Sequence, residues 1–469
     1  MPYDFSTFDR NCAKEQETPI SGSVTGSIPS WLRGSLILNG PGKMKFGDQE
    51  YLHVFDGAAV LQKVNFTETG PTYSSKFLRS SAFQVNSEND QIVVSELGTK
   101  GTSVNNKSAL QKLGEKFSFD KLFSDNAQVN VVRYGGGGYY AITESPFIHK
   151  ICPKTLETIR KVDLHKEIGV NSQCPHPIQL NDGSSINVFH NVGATGPKYE
   201  IYKFPAQDSP DSFPKASKIA SVDARWKLNP CLMHSFGMTE HYFVLPEQPL
   251  TLDVKQMVTN SVKEKPFIDG MEWIKDKLVK FHVVCRDTGK ELKFRLKSEA
   301  FFYLHIINCY EEDKFIVVDL CAFKKPDMLY SFFIKNIREN GQNLWKELDR
   351  GTIKRIVLPL SVNDKVAPEE NLITLGSKAT AYRQKDGVVL LTPEEISPIC
   401  YENPTMNPNF YGRKYSYFFG ASSDMDDSCG KVAKVDVRSG EVKQWSKDGV
   451  YACVLSFVAR PGAPADSGR

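Results

Sequence analysis

The sequence predicts an all-β protein built as a propeller, and three observations carry that prediction. From Ala59 onward, short strand-like runs alternate with polar turns. Three segments repeat one theme: 151–158, 283–290 and 434–441 each read strand, polar turn, strand, the outer hairpin of a propeller blade. Finally, His176, His234 and His305 each stand alone in an apolar, strand-like stretch, about 60 and about 70 residues apart, which does not suit the close ligand pairs of a zinc finger. Such spacing suits a site assembled from separate turns of a repeating β-architecture.

Composition bounds the rest. A chain of 469 residues has room for about three domains, but propellers run this long as one, so a single domain over 1–469 is expected. With 58 basic and 55 acidic residues the net charge is +3, and no basic excess exists to neutralise nucleic-acid phosphates. The ten cysteines are scattered without a C-x-x-C pair and read as reduced thiols of a cytoplasmic protein. Met1-Pro2-Tyr3-Asp4 does not open a signal peptide. The longest apolar runs, Phe301–Ile307 and Phe315–Phe323, fall short of a membrane span, so the expectation is a soluble or peripherally membrane-associated protein. Oligomeric state stays open.

Taken in order, Ile28–Leu32 reads as a helical turn, and Gly34–Leu38 as a strand ending in a turn at Asn39-Gly40-Pro41-Gly42. No Lys-Ser/Thr pair or following helix makes that turn a phosphate loop. Tyr134-Gly135-Gly136-Gly137-Gly138-Tyr139 is a hairpin tip. Residues 104–124 break the strand rhythm: Leu110, Leu113, Phe117, Leu122 and Phe123 alternate with lysines in a helical, amphipathic pattern. A second helix is expected over 252–262. Segments 104–124 and 252–280 therefore read as insertions that either cap the propeller or face a membrane, where lysines meet anionic headgroups.

The histidines invite two readings. A lone buried histidine is usually a hydrogen-bonded core residue, yet neutral imidazole is also a good ligand for Fe, Zn, Cu or Ni. Two carboxylates bear on the choice. Glu144, among Ile142, Thr143, Pro146 and Phe147, is placed on an apolar strand where its charge is costly unless paired. Glu402, in Tyr401-Glu402-Asn403-Pro404, reads equally well as a strand-end surface carboxylate or as a partner to an imidazole.

His234-Ser235-Phe236-Gly237, Pro175-His176-Pro177, the Tyr303–Asn308 stretch around His305, Asn39-Gly40-Pro41-Gly42 and Phe55-Asp56-Gly57 together resemble the carotenoid cleavage oxygenase family. Arg225–Leu228, His241–Val244, Glu299–Cys309 and Ala421–Asp424 narrow the resemblance to the insect carotenoid isomerooxygenases, from about residue 17 to about residue 451. The resemblance implies a seven-bladed propeller with helical cap insertions over an axial Fe(II) held by four histidines. Three of these would be His176, His234 and His305. Glu144 would accept the N–H of His234 and Glu402 that of His305, while the Thr143 methyl would stand beside the vacant coordination position. The implied reaction adds O2 across the central double bond of a carotenoid, gives two carbonyl products and isomerises one half to an 11-cis retinoid. Family relatives also cleave carotenoids eccentrically or isomerise retinyl esters, and a form without metal would simply bind the pigment.

The sequence departs from the family pattern in four places. Leu38 stands where the family has Arg, Val54 where it has an aromatic, and Val104–Lys107 where it has Pro-Asp-Pro-Cys-Lys. Val454 occupies the position of a glutamate that supports the fourth ligand, and none of the other six histidines has the fourth ligand's context. The resemblance therefore implies an incomplete last blade, a fourth ligand beyond residue 469, and weak activity of the 469-residue chain taken alone.

Overall fold

The computed structural model describes residues 4–102, 122–135, 138–206, 215–263, 265–362, 367, 369–422, 430–464 and 468. Most of segment 104–124 thus lies outside the described residues. Within them the chain is organised as successive antiparallel sheets, numbered here as blades in chain order. Blade 1 runs in the order Gln16–Ser21, Gly70–Phe77, Ala58–Thr67, Gly34–Lys43. Blade 2 runs Thr158–Asp163, Phe147–Ile151, Gly138–Ile142, Asn130–Tyr134, and blade 3 runs Ser172–Gln173, Ser185–Gly193, Gly196–Phe204, Ser217–Asp223, with Ile178–Gln179 also on the second strand.

Blade 4 runs Gly237–Met238, Tyr242–Glu247, Val279–Cys285, Arg295–Ser298, and the hairpin of Val388–Thr392 and Thr380–Arg383 joins its last strand in parallel. Blade 5 runs Ile306–Glu312, Phe315–Ala322, Thr352–Pro359, Glu394–Ser397. Blade 6 runs Tyr401–Thr405, Tyr417–Ser422, Val432–Asp436, Val442–Trp445. Six blades stand among the described residues, where the resemblance implies seven with the last incomplete. Outside these sheets, the strands before Trp445 form two small two-stranded sheets, Lys45–Phe46 with Gln49–Glu50 and Leu250–Leu252 with Met271–Trp273. After Trp445, the described residues add only the isolated bridge Lys447–Val450 and no further strand.

The core follows from strand pattern. All eight residues of Phe315–Ala322 are buried, because this strand lies inside blade 5 with both faces covered. Each large aliphatic there contributes about 1.5–3 kcal/mol relative to exposure. Its one charge, Asp319, sits opposite Arg355 in register and binds it through two 2.8 Å hydrogen bonds, with the Tyr415 hydroxyl donating at 2.9 Å. That geometry meets the condition under which a buried charge is tolerated.

One sequence expectation changes here. Asn39–Gly42 is not a turn: the strand continues through it to Lys43, with an irregularity between Pro41 and Lys43. The strand is at the sheet edge, where proline's missing N–H leaves no ladder bond unmade. Gly42 is required by close approach, since a Cβ there would lie 2.5 Å from Val60 Cγ2. Asn39 then donates to Ala127 O at 2.7 Å, tying blade 1 to the start of blade 2.

Segment 252–280 falls almost wholly within an insertion, 248–278, between two strands of blade 4 that pair with each other, Tyr242–Glu247 and Val279–Cys285. The insertion contains the helix Val254–Val262 and the small antiparallel pair of Leu250–Leu252 with Met271–Trp273. Phe267 N and Ile268 N donate to Glu96 O and Leu97 O, and the Phe267 and Phe123 rings lie 5.3 Å apart. The two predicted insertions therefore meet, around a cavity lined by Glu96, Phe123, Met257, Asn260 and Phe267.

Candidate metal centre

His176, His234 and His305 sit at equivalent places. His176 lies in the connection just before Ile178–Gln179 of blade 3, His234 three residues before Gly237–Met238 of blade 4, and His305 immediately before Ile306–Glu312 of blade 5. They are in the connections that lead into edge strands rather than on the strands themselves. Consecutive blades of a propeller bring such connections together around one axis. The three rings accordingly form a triangle with centroids 4.7, 4.9 and 5.0 Å apart and steep mutual tilts of 61–81°. One nitrogen from each lies within 4.8 Å of the others.

Specific side chains stitch these connections to each other. Ser235 Oγ donates to Leu304 O at 2.6 Å and accepts the N–H of Ile306 at 2.9 Å, so the segments carrying His234 and His305 are clamped by one hydroxyl. Cys174 Sγ donates to His234 O at 2.8 Å, linking the His176 segment to the next. Buried Gln248 holds Leu232 O and Tyr303 O through its amide nitrogen and accepts from Tyr303 N. Sequence reasoning did not single out these three. Ser235 was visible within the His-Ser-Phe-Gly motif, whereas Cys174 and Gln248 carried no signal beyond being polar or thiol groups in apolar stretches.

Both predicted carboxylates reach the site. His234 Nδ1–H donates to Glu144 Oε1 at 2.7 Å, and His305 Nδ1–H to Glu402 Oε2 at 2.5 Å. Glu144 lies in the connection between two strands of blade 2, not on a strand, and Thr143 Oγ1 donates to its other oxygen at 2.8 Å. Burial alone would raise the Glu144 carboxyl. The hydrogen bond and charge of His234, with help from Thr143, outweigh it and hold the group below the usual carboxylate range. Glu402 is presented by an irregularity in the first strand of blade 6, next to Asn403 in the left-handed conformation at φ 51°. Such bulges re-aim a side chain. Burial, with His234 and His305 beside it, pushes His176 well below the usual imidazole range. Among the described residues His176 has no carboxylate partner; Asn130 Nδ2 lies 3.5 Å from its Nδ1, beyond an ordinary hydrogen bond.

This donor set fits a divalent metal. With Nδ1–H engaged by a carboxylate, His234 and His305 keep Nε2 as a bare lone pair. His176 Nε2 and His234 Nε2 are 3.0 Å apart. Two nitrogens at right angles about a shared ion, each about 2.1 Å from it, are separated by about 3.0 Å. Two carboxylates behind three neutral ligands offset a 2+ charge. The other six histidines are engaged elsewhere: His53 with Leu329 O, His149 with Asp125 O, His165 with Val170 O, His190 with Ser172 and Cys231 O, His241 with Glu311, His282 with Glu247 and Glu291. None of these turns to the triangle.

Comparison with known proteins agrees with the geometry. Residues 9–468 match the RPE65 family, described as retinal pigment epithelial membrane protein. The chain is 34% identical to a carotenoid isomerooxygenase of Galleria mellonella, over 98% of this chain and 85% of that one. It is 34% identical to the beta,beta-carotene 15,15'-dioxygenase of Gallus gallus, over 97% and 88%. A cobalt-substituted ACO from Synechocystis superposes with a TM-score of 0.76 at 20% identity, covering 99% of this chain and 88% of that one, which is a likeness of fold. A propeller with three imidazoles and two carboxylates at its axis, matched by a family over nearly its whole length, places the chain in the RPE65 family of carotenoid oxygenases.

Proposed function

We propose that the chain is an Fe(II)-dependent carotenoid isomerooxygenase: it cleaves the central double bond of a carotenoid with O2 to give two retinal halves and turns one to the 11-cis form. The observation that carries this reading is the triangle of imidazoles with two Nδ1–H groups anchored on carboxylates, in a chain whose relatives are named for carotenoid cleavage. His176, His234 and His305 would hold the ion through their inward nitrogens, and Glu144 and Glu402 would fix ring tautomer and orientation. Ferrous iron supplies the capacity to bind and activate O2 beside an alkene. Thr143 is the proposed steric gate: its hydroxyl is spent on Glu144, so the methyl is the part left to face the space beside the ion.

The balance is one C=C and one O2 giving two C=O groups, and no residue of the chain needs to gain or lose a proton overall. The protein's work is therefore positioning. The 252–280 insertion, with Phe123, Met257 and Phe267 around its cavity, is the proposed route by which an apolar polyene arrives from a membrane surface to a cytoplasmic enzyme. Among the described residues no helix is long and apolar enough to cross a membrane.

The test supplies iron, a carotenoid and 18O2. The expected products are retinal isomers, each carrying one 18O from the gas. Long-chain apocarotenals would instead indicate eccentric cleavage, and isomerisation of a retinyl ester without O2 an isomerohydrolase. Pigment retention without cleavage would favour a second reading, a carotenoid-binding protein.

A further inference from the structure

Next to the histidine triangle lies a second group of ligating atoms. Cys321, at the end of Phe315–Ala322 in blade 5, and Cys400, just before Tyr401–Thr405 in blade 6, are both fully buried. Their sulfurs and a carboxylate oxygen of Glu402 lie within 4.8 Å of one another. Cys400 Sγ is 3.9 Å from Glu402 Oε1, and Cys321 Sγ is 3.4 Å from Tyr401 O. Glu402 thus faces two ways, with Oε2 on His305 and Asn403 N, and Oε1 toward the thiols.

We propose that Cys321, Cys400 and Glu402 form a second cation site, selective for a thiophilic divalent ion such as zinc or cadmium, whose filling loosens the histidine centre through Glu402. Tetrahedral ligands at about 2.3 Å for sulfur and about 2.0–2.2 Å for oxygen stand about 3.5–3.8 Å apart. The 3.9 Å separation lies just above this range, and the 4.8 Å limit leaves shifts that side chains alone can make. Two thiolates select a soft ion over ferrous iron, which the imidazoles retain. Binding replaces two S–H protons by two metal–sulfur bonds and releases the protons to solvent, with no redox change. The path in is the axial side, because Glu402 and His305 keep 14% and 13% side-chain exposure.

The consequence for His305 has a definite sign. A carboxylate that donates electron density to a 2+ ion through Oε1 is a poorer acceptor for the His305 N–H through Oε2, and two nearby cations repel. Retention at the histidines falls by about 10–100-fold, the range for losing an outer hydrogen-bond partner of a ligand, and by linkage iron disfavours the thiol ion equally. This consequence rests on the proposed iron site, whereas binding at the thiols does not.

Cadmium titration of the full-length protein tests both parts. Expected are thiolate-to-cadmium charge-transfer absorption at the first equivalent and a 113Cd resonance in the range of mixed sulfur and oxygen ligation. Both should survive His234→Ala and be lost in Cys321→Ser/Cys400→Ser. Circular dichroism and thermal unfolding check the fold of each variant, and the 113Cd resonance of the unaltered protein stands without any variant. In iron-loaded protein, cadmium should speed iron release about 10–100-fold, and not in the double cysteine variant. First-equivalent absorption that persists undiminished in the folded double variant, a 113Cd resonance lacking sulfur ligation, or iron release that ignores cadmium would overturn the proposal. None of these readouts uses a carotenoid, so they are independent of whether cleavage occurs.

Discussion

The connection that carries Glu144 and the bulge that carries Glu402 solve one chemical problem in two ways. Each offers a carboxylate to the Nδ1–H of an imidazole. Glu144 spends its second oxygen on the Thr143 hydroxyl, its own neighbour. Glu402 has its second oxygen toward Cys400, and its strand irregularity borders the last described segment, where Asn403 Nδ2 donates to Cys453 O at 2.7 Å. The difference teaches that the two arms of the site are not equivalent. The support of His234 is tied to its own chain neighbour, while that of His305 borders two thiols and the packing of residues 451–458.

The largest effect that sharpens this comparison is loss of a shared ligand. His234→Ala should reduce bound metal and retinal formation below detection, with the far-ultraviolet circular dichroism of the propeller retained; full metal content in the variant would remove His234 from the site. Next come the two supports. Glu144→Gln and Glu402→Gln each keep shape and lose charge, so each should weaken metal retention by about 10–100-fold. Only the Glu402 variant should also lose the response to cadmium. Identical cadmium behaviour in both would erase the distinction drawn between the arms.

Ser235→Ala tests the clamp between them. It leaves the Ile306 N–H without its acceptor, a loss of about 1–3 kcal/mol in denaturant unfolding. An unchanged midpoint would mean that the segments are held by other contacts.

A subtler effect separates the site from its surroundings by pH. Burial lowers His53 and His190 to about 4, below their ordinary 6.5. Between these values the unfolded chain takes up protons that the folded chain refuses, so stability is lost as pH falls from 6.5 toward 4, on the order of 3 kcal/mol per histidine. Asp56 acts oppositely: burial raises it to about 6 from 3.8, so over that window its share of stability grows as pH falls. His190→Gln should therefore reduce the pH slope of stability between 6.5 and 4 by about one proton, measured by denaturant unfolding at each pH. The smallest effect is expected of Thr143→Val, which removes one acceptor–hydroxyl bond to Glu144 while His234 remains, about threefold in metal retention.

How much of this was legible in the sequence depended on the range of the interaction involved. Alternation of short runs and turns is a local property, and the strand-turn-strand segments at 151–158 and 434–441 form the hairpins they spelled out. The third, 283–290, closes through Cys285 N donating to Lys290 O and Leu292 N to Val283 O, about a bridge between Val284 and Glu291. The convergence of His176, His234 and His305 was legible because the resemblance supplied the ring closure that spacing alone does not. Glu144 was found by the cost of its charge among apolar neighbours, though its place in a connection rather than on a strand was not. The strand through Asn39–Gly42 was misread because glycine and proline signal turns locally, and only the packing of Val60 against Gly42 shows that close approach is their purpose. The pairing of Cys321 with Cys400 and Glu402 lies between blades, across a separation that no local pattern encodes.

The central claim is that one metal ion sits among His176, His234 and His305. Crystals of the full-length protein grown with ferrous iron, measured on both sides of the iron absorption edge, test it directly. The account predicts one anomalous peak about 2.0–2.3 Å from a nitrogen of each of the three imidazoles, with Glu144 and Glu402 still on the opposite ring nitrogens. Iron density at the Cys321, Cys400 and Glu402 cluster with none at the histidines, or imidazoles that turn away from a shared point, would contradict it.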